Sequence, residues 1–576
     1  MLKGLEISEI KFKDIALDGD DFRLDSEFFM KKFINSKLIL KKIKSSSIST
    51  YSKISDGDHS AFPENQKNEI RYLQAKDIKN HFIIDESPVF ISKEYFDKNT
   101  RSHIKEENVI LSIMGSVGDI AITPKGFIPT LANRAVAIIK EINGINPYYI
   151  FIYLSSKFGQ AQIERQKTGG VQVRINLDVL SEIQIPSLSN EFQNKIGNLV
   201  KLAHENLRVS KNCYTEAENI LYWELGLSYL SKDATDTYQY LLQMEVTPPT
   251  VEELLSGERI LMPDAADKAI YIMQEIESLN QPKNYTPNNY LKIQELEKEA
   301  KKEIQKWDKH KDLIREFINK LEQHNVGLAN INKYQIAKQQ NHNTKTLKDS
   351  FLQSGRLDAE YYQPKYDELE KIIKNYKGGY STIGESTFEI NTGDFCNDYK
   401  QKSAGLKFYI RNTNITKGRI TDDENYYIET SGIKKFVNEG DILTARVGAI
   451  GSFGTVTKEF KGAVYSDNVL CLRLKENLIP EVYTFYFNSK LNRDLMEKIS
   501  GGSVQPLITQ TSIKEILIPL FDNKIQNNIS EKVQESFALQ SKSKQLLEVA
   551  KLAVEIAIEQ GEKVALSYLK KIRNTL

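Results

Sequence analysis

The sequence predicts a mixed α/β (α+β) chain: two similar domains separated by long helices, with an extra helical insertion in the middle. Repetition is the first reason. Arg23-Leu24-Asp25-Ser26-Glu27-Phe28-Phe29 returns as Arg356-Leu357-Asp358-Ala359-Glu360-Tyr361-Tyr362, about 333 residues on, a spacing of duplicated domains rather than of small stacked repeats. In the same register Gln172 of Gly169-Gly170-Val171-Gln172 returns as Gln505 of Gly501-Gly502-Ser503-Val504-Gln505, Ile185-Pro186 as Ile518-Pro519, and Gln193 as Gln526. The second reason is that each copy holds short apolar runs broken by turn signals, the mark of strands. The third is a change of period after each Ile-Pro, where apolar residues fall at helical steps.

The elements follow in the same order in both copies. A helical stretch comes first, from Lys31 to Ile43 and again from Tyr366 to Tyr376. Strand-like runs are Ile70 to Gln74, Val109 to Ile113 and Arg134 to Ile139, matched by Lys407 to Arg411, Asp441 to Ala445 and Asn468 to Leu472. An aromatic-rich helix opens at Pro147 and again at Pro480, proline being well placed in a first helical turn. Phe192, Ile196 and Val200, and then Ile525, Ile529, Val533 and Phe537, form single apolar stripes on long helices. From Ile525 to Ile558 such a helix would span about 50 Å. A long helix with one apolar stripe needs a partner, and its own duplicate is the obvious one. The expected boundaries are a first domain at 1–187, a first spacer helix at 188–230, a helical insertion and linker at 231–345, a second domain at 346–520 and a second spacer helix at 521–576.

Composition narrows the function classes. With 576 residues, 40% apolar and 27% charged, the chain can bury a core in each half. No run approaches the ~18 apolar residues needed to cross a bilayer, and the start lacks the apolar core of a signal peptide, so a cytoplasmic protein is expected. Cys213, Cys396 and Cys471 fit no metal spacing and read as reduced thiols. The 78 basic and 77 acidic residues leave a net charge of +1, which is not the footprint of a nonspecific nucleic-acid coat. A DNA-binding role would need local basic surfaces or partner subunits to supply the electrostatics.

Three motifs suggest chemistry and fail on their surroundings. Asn146-Pro147-Tyr148-Tyr149 resembles the element with which amino-methyltransferases hold a base, but the second copy has Ile479-Pro480-Glu481-Val482 there, and no glycine-rich loop for S-adenosylmethionine accompanies it. Pro263-Asp264 with Glu299-Ala300-Lys301 imitates a Mg²⁺ nuclease within a charged helical stretch where such matches arise easily. Gly115-Ser116-Val117-Gly118 lacks the Gly-Lys-Ser/Thr ending of a phosphate loop.

Features that persist in both copies are more informative. Leu111 to Gly118 and Leu443 to Gly451 each read as a strand entering a tight Gly-x-x-Gly turn, either a hairpin needed by the fold or a turn presenting Ser112, Ser116 and Arg446 to nucleic acid. The Gly-Gly loops carry Gln172, Arg174 and Gln505; glutamine can pair with adenine and arginine with guanine, or such side chains can cap local backbone. Tyr72 to Ile78 matches Tyr409 to Ile415, with the polar tip changed from Gln74-Ala75-Lys76 to Arg411-Asn412-Thr413. A shared frame with altered tips suits two readers of different sequences, and drift of surface residues would look the same. Asn468, opening a strand of the second copy, completes the candidates for DNA contact: Gln74, Lys76, Ser112, Ser116, Gln172, Arg174, Arg411, Asn412, Arg446, Asn468 and Gln505.

With these residues in view, the chain resembles the DNA-specificity (S) subunit of type I restriction-modification systems. The run from Arg356 to Tyr366, the stretch Asp441 to Gly448, the Gly-Gly-x-Gln to Ile-Pro closing pattern and Trp223-Glu224-Leu225-Gly226-Leu227 carry the likeness. The resemblance implies two target-recognition domains, each α/β, separated by long antiparallel helices, with no catalytic residue and no metal or cofactor on this chain. It also implies double-stranded DNA as ligand, two methyltransferase subunits that use S-adenosylmethionine, and a restriction/translocase subunit that uses ATP and Mg²⁺. A scaffold from a related phage-defence system, and a nuclease or methyltransferase with fused recognition domains, are the competing expectations.

Overall fold

The computed structural model describes residues 26–60, 70–84, 87–169, 173–227, 272, 275–279, 289, 292–296, 329–340, 342–422, 426–448, 450–500 and 507–573. The chain divides into two compact units, Met1–Ser210 with Ala538–Leu576, and Lys211–Phe537.

In the first unit a four-stranded sheet orders Lys53–Asp56, Val136–Lys140, Val109–Ser112 and Ile120–Ile122, all antiparallel. Val109–Ser112 is buried at every position, so both faces are covered and the strand is apolar without alternation. Period two still sorts its side chains. Val109 and Leu111 join a cluster with the aromatic helix Pro147–Ser155, whereas Ile110 joins Leu73, Ala132 and Ile138 on the opposite face. A second sheet orders Val89–Ile91, Ile70–Leu73, Thr130–Ala132 and His103–Ile104, with its central pair parallel.

Pro147–Ser155 is apolar all round and accordingly buried; the Asn146 side chain caps its start by accepting from Tyr148 N at 3.0 Å. The suspected base-holding asparagine is therefore a helix cap. Tyr149 and Tyr153 donate their hydroxyls to the carbonyls of Pro186 (2.8 Å) and Gln184 (2.7 Å), locking the helix to the closing strand Gln184–Pro186, which pairs with Ser45–Ser47.

The long helix Asn190–Glu224 lies in the first unit up to Ser210, and there it runs antiparallel to the later part of Asn523–Gln560. Ser543 donates to Ala203 O at 2.6 Å, and Ser189 N to Glu562 at 2.9 Å. Phe192, Ile196, Val200 and Ala203 pack with Leu546, Ala550, Ala553 and Val554, as a single apolar stripe requires. The second helical stretch breaks at Gly561, φ +92°, before a shorter helix Glu562–Arg573, where the apolar pattern alone suggested continuity.

The second unit repeats the plan. Its main sheet orders Thr387–Thr392, Val469–Leu474, Ile442–Ala445, Phe453–Thr455, Gly418–Ile420 and Ile415–Thr416. A three-stranded sheet holds Tyr427–Ile428, Lys407–Ile410 and Val464–Tyr465. Pro480–Phe487 covers the core, Tyr483 and Tyr486 donate to Pro519 O (3.1 Å) and Leu517 O (2.9 Å), and Leu517–Pro519 pairs with Tyr380–Thr382. Here, too, the long helices run antiparallel, with Glu216 meeting Lys532 at 2.6 Å and Cys213 beside Glu535. The fold is thus mixed α/β, each unit joining sheets to its own segment of an antiparallel helix pair.

Candidate nucleic-acid interface

Strand direction decides which loops meet. Ile70–Leu73 and Thr130–Ala132 run parallel, so the segments after both leave the sheet at one end. Val136–Lys140 runs antiparallel to Val109–Ser112 and Lys53–Asp56, which brings the segments after those two strands to the same end. The corresponding pairings in the second unit, Lys407–Ile410 parallel to Val464–Tyr465 and Val469–Leu474 antiparallel to Ile442–Ala445 and Thr387–Thr392, do the same.

The Gly-x-x-Gly turns close alike. Gly115 and Gly118 sit at φ +78° and +109°, Gly448 and Gly451 at +84° and +89°, where a Cβ would be strained. Val117 N donates to Gly115 O at 2.9 Å and Ile450 N to Gly448 O at 2.8 Å. Each turn lies beside the stem of its Gly-Gly loop: Ile175 N donates to Ile113 O at 3.1 Å, and Ile508 N to Arg446 O at 2.9 Å. Thr168 and Arg174 exchange two backbone bonds of 2.9 Å at the base of the first loop. Gln172 and Gln505 lie outside the described residues.

A second pair of tips precedes Val136 and Val469. Ile113 N donates to Ala135 O at 2.9 Å and Arg446 N to Asn468 O at 3.0 Å, while Asn133 and Ser466 side chains accept from the backbone two residues on, an Asx-type brace. The third pair is the polar turn after Ile70–Leu73 and Lys407–Ile410. Gln74 N donates to Asp77 Oδ2 and Arg411 N to Asn414 Oδ1, both at 2.9 Å, and Asp77 N and Asn414 N return 3.0 Å bonds to the carbonyls of Gln74 and Arg411. Asp77 and Asn414 are buried as struts, so the residues before them are free to vary. Beneath the first turn, Arg71 sits 3.7 Å from Asp77; burial pulls its pKa below the ordinary arginine value, against the raising influence of that carboxylate.

The candidates fall into distinct positions. Lys76, Ser116, Arg174 and Asn468 are exposed; Gln74, Arg411, Asn412 and Arg446 are half-buried. Asn412 Nδ2 lies 3.9 Å from where a Cβ of Gly448 would stand, so the polar turn and the glycine turn touch. Arg446 donates to Asp467 O at 3.3 Å. Ser112 is a correction: it is fully buried, and its hydroxyl donates to Met114 O at 3.2 Å, bracing the turn rather than offering a contact. The Pro263, Asp264 and Glu299-to-Lys301 motif lies outside the described residues.

Sequence reasoning missed two features. Gly57-Asp58 and Gly393-Asp394 form a further pair of tips at the same sheet end: Asp58 N donates to Ala132 O at 2.8 Å and Asp394 N to Tyr465 O at 3.0 Å. A Cβ at Gly57 would overlap Asn133 O, and one at Gly393 would overlap Tyr465 O. The repeated Gly-Asp dipeptide was the available signal. Burial works to raise the Asp58 carboxyl, and the hydroxyl of Tyr95 (2.5 Å) and the N–H of Ser60 (3.0 Å) outweigh it, so Asp58 titrates below the usual range. The second feature is Arg134, exposed on the tip before Val136, where the other copy has Asp467. Each edge therefore offers amides, hydroxyls and guanidinium groups on hydrogen-bonded turns, a donor and acceptor set suited to base edges and phosphates. Among the described residues no group of His, Cys, Asp or Glu could hold a metal ion, and no helix is long and apolar enough to cross a membrane.

A protein-family model described as the type I restriction modification DNA specificity domain matches residues 38–237 and 385–549, more than half of the chain. The chain belongs to that family of specificity domains, and its two matched segments are the two copies of the repeat. Among solved structures it is similar to a type I restriction-modification S subunit from M. genitalium, at 10% identity and TM-score 0.37, covering 90% of this chain and 95% of that one. It is also similar to the HsdS subunit from Thermoanaerobacter tengcongensis, at 13% identity and TM-score 0.24, covering 90% and 97%. No curated protein matches it.

Proposed function

We propose that this chain is the non-catalytic specificity subunit of a type I restriction-modification complex and reads a bipartite sequence in double-stranded DNA. One recognition domain, 1–187, takes one half-site, and the other, 346–520, takes the second. Helices 188–230 and 521–576 set the gap, and most of the expected insertion at 231–345 lies outside the described residues. The chain docks two methyltransferase subunits and a restriction/translocase subunit in the cytoplasm; these supply the S-adenosylmethionine, ATP and Mg²⁺ chemistry. The observation that supports this most is the duplicated edge: one hydrogen-bonded frame holding Gln74-Ala75-Lys76 in one unit and Arg411-Asn412-Thr413 in the other. A conserved scaffold with exchanged tips is what two readers of unlike bases need. Near-neutral net charge, +1, fits a subunit whose partners help enclose the DNA.

Exchange of residues 25–186 for the matching segment of another family member tests the reading. In a host carrying the whole system, long-read mapping of methylated adenines should show one half of the motif replaced and the other retained. Replacement of both halves, or of neither, defeats the two-reader arrangement. DNA cleavage or methylation by the purified chain alone would favour a fused enzyme instead.

A further inference from the structure

In the second unit the polar turn is flanked by two aromatic rings. The guanidinium carbon of Arg411 lies 4.9 Å from the ring centroid of Tyr426 and 5.5 Å from that of Tyr399. The two rings are 4.8 Å apart and tilted by 50°. Both are held by backbone: Tyr409 N donates to Tyr426 O at 2.8 Å, and Lys400 and Tyr427 exchange bonds of 2.8 and 3.2 Å. Tyr399 also leans on Tyr409, 5.8 Å away, whose hydroxyl donates to Asp394 O at 2.8 Å. Nearby Asp398 and Glu429 are engaged by Lys400. Among the described residues Arg411 makes no ion pair, and its guanidinium donates to no protein acceptor.

Contact with ring faces restrains the guanidinium without consuming its N–H groups, so part of the entropy of ordering a long side chain is met before any ligand arrives. Ordered, cationic and without an acceptor among the described residues, this fork matches the N7 and O6 acceptors on the major-groove edge of guanine. A phosphate would also match a guanidinium. The duplicate argues for a base: the same frame position in the first unit is Gln74, a neutral amide that cannot neutralise a phosphate but has the donor and acceptor pair that adenine demands. A phosphate-binding position would keep its charge between copies, whereas a base-reading position changes with the base. We propose that Arg411 is the guanine-reading side chain of the second recognition domain, with Tyr399 and Tyr426 as its positioning residues. This rests on the function proposed above.

The test is enrichment of randomised duplexes by the purified complex of the full chain with its methyltransferase partner. Wild type, R411K, R411Q and a Y399A/Y426A double variant are compared, with each complex's melting temperature as a folding check. Wild type should enrich a bipartite motif. R411K and R411Q should each lose preference for one guanine in one half-site by roughly five- to a hundredfold, leaving the other half intact. The tyrosine variant should weaken preference at that same position while Arg411 is present. If both Arg411 variants keep every guanine and only bind more weakly, with a shallower salt dependence, Arg411 is a phosphate contact and the inference is wrong. If wild type enriches no motif, the specificity function itself fails, an outcome distinct from a motif insensitive to Arg411.

Discussion

Lys37 shows how a single charge can be set against the fold around it. It lies on the helix Lys31–Leu40, and burial first, then the nearby Arg165 and Lys41, pull its pKa from 10.5 to about 8. Arg165 is held in place, stacked 3.8 Å from the Phe28 ring and donating to Phe28 O at 3.1 Å, so it cannot move away from the ammonium. Between pH 8 and 10.5 the unfolded chain binds the Lys37 proton more tightly than the folded one, so stability from this group rises with pH across that window. Partial exposure screens the effect and keeps it small. Lys37→Met should therefore raise the melting temperature near neutral pH and reduce the gain seen between pH 8 and 10. An unaltered slope in the variant would show that Lys37 carries no such penalty.

At the scale of elements, the repeated glutamines act as pegs. Gln526 is buried in the helix Asn523–Gln560, accepts from Ile479 N at 2.8 Å and donates to Phe521 O at 2.9 Å. Gln193 makes the equivalent bonds to Asn146 N (3.0 Å) and Leu188 O (2.9 Å). Each ties a long helix to the start of an aromatic helix and to the loop leaving the closing strand. Gln526→Leu strands an N–H and a carbonyl in the interior and should cost about 1–3 kcal/mol in denaturant unfolding. The exposed neighbour change Lys524→Ala should stay within about 0.5 kcal/mol. Equal effects of the two would remove the peg role. These glutamines were visible in the sequence because the repeat preserved their register, as were the strands Val109–Ser112 and Ile442–Ala445, whose apolar runs reflect burial on both faces. What stayed hidden has physical reasons. Gly57-Asp58 and Gly393-Asp394 sit slightly out of the main register, and their glycines are required by close approach to a carbonyl, which only coordinates reveal. Ser112 looked available because it ends a strand, yet its hydroxyl turns inward to Met114 O. Tyr399 and Tyr426 are distant from Arg411 in sequence and meet it only through strand pairing.

For the molecule as a whole, the long helices are the testable part of the proposed reading. Asn190–Glu224 has 35 residues and Asn523–Gln560 has 38, and in each the division between units falls inside the helix, after Ser210 and after Phe537. Those points suit insertion because the contacts of each unit lie to either side: Ser543 with Ala203 in the first, Lys532 with Glu216 in the second. One added turn, about four residues, lengthens a helix by about 6 Å, which corresponds to roughly one to two base pairs of duplex rise. Lengthening only one helix would throw one of the two packing registers out of step, so the added turns must be matched. If the helices set the gap, the doubly lengthened chain should direct methylation to the same two half-sites with the unread gap extended by one or two base pairs. Loss of activity after insertion in one helix, restored by insertion in both, would locate the effect in the helix pair rather than in the reading edges. An unchanged gap in the doubly lengthened chain would remove the spacer role, and a change in the half-site bases would mean that the insertion had disturbed the readers instead.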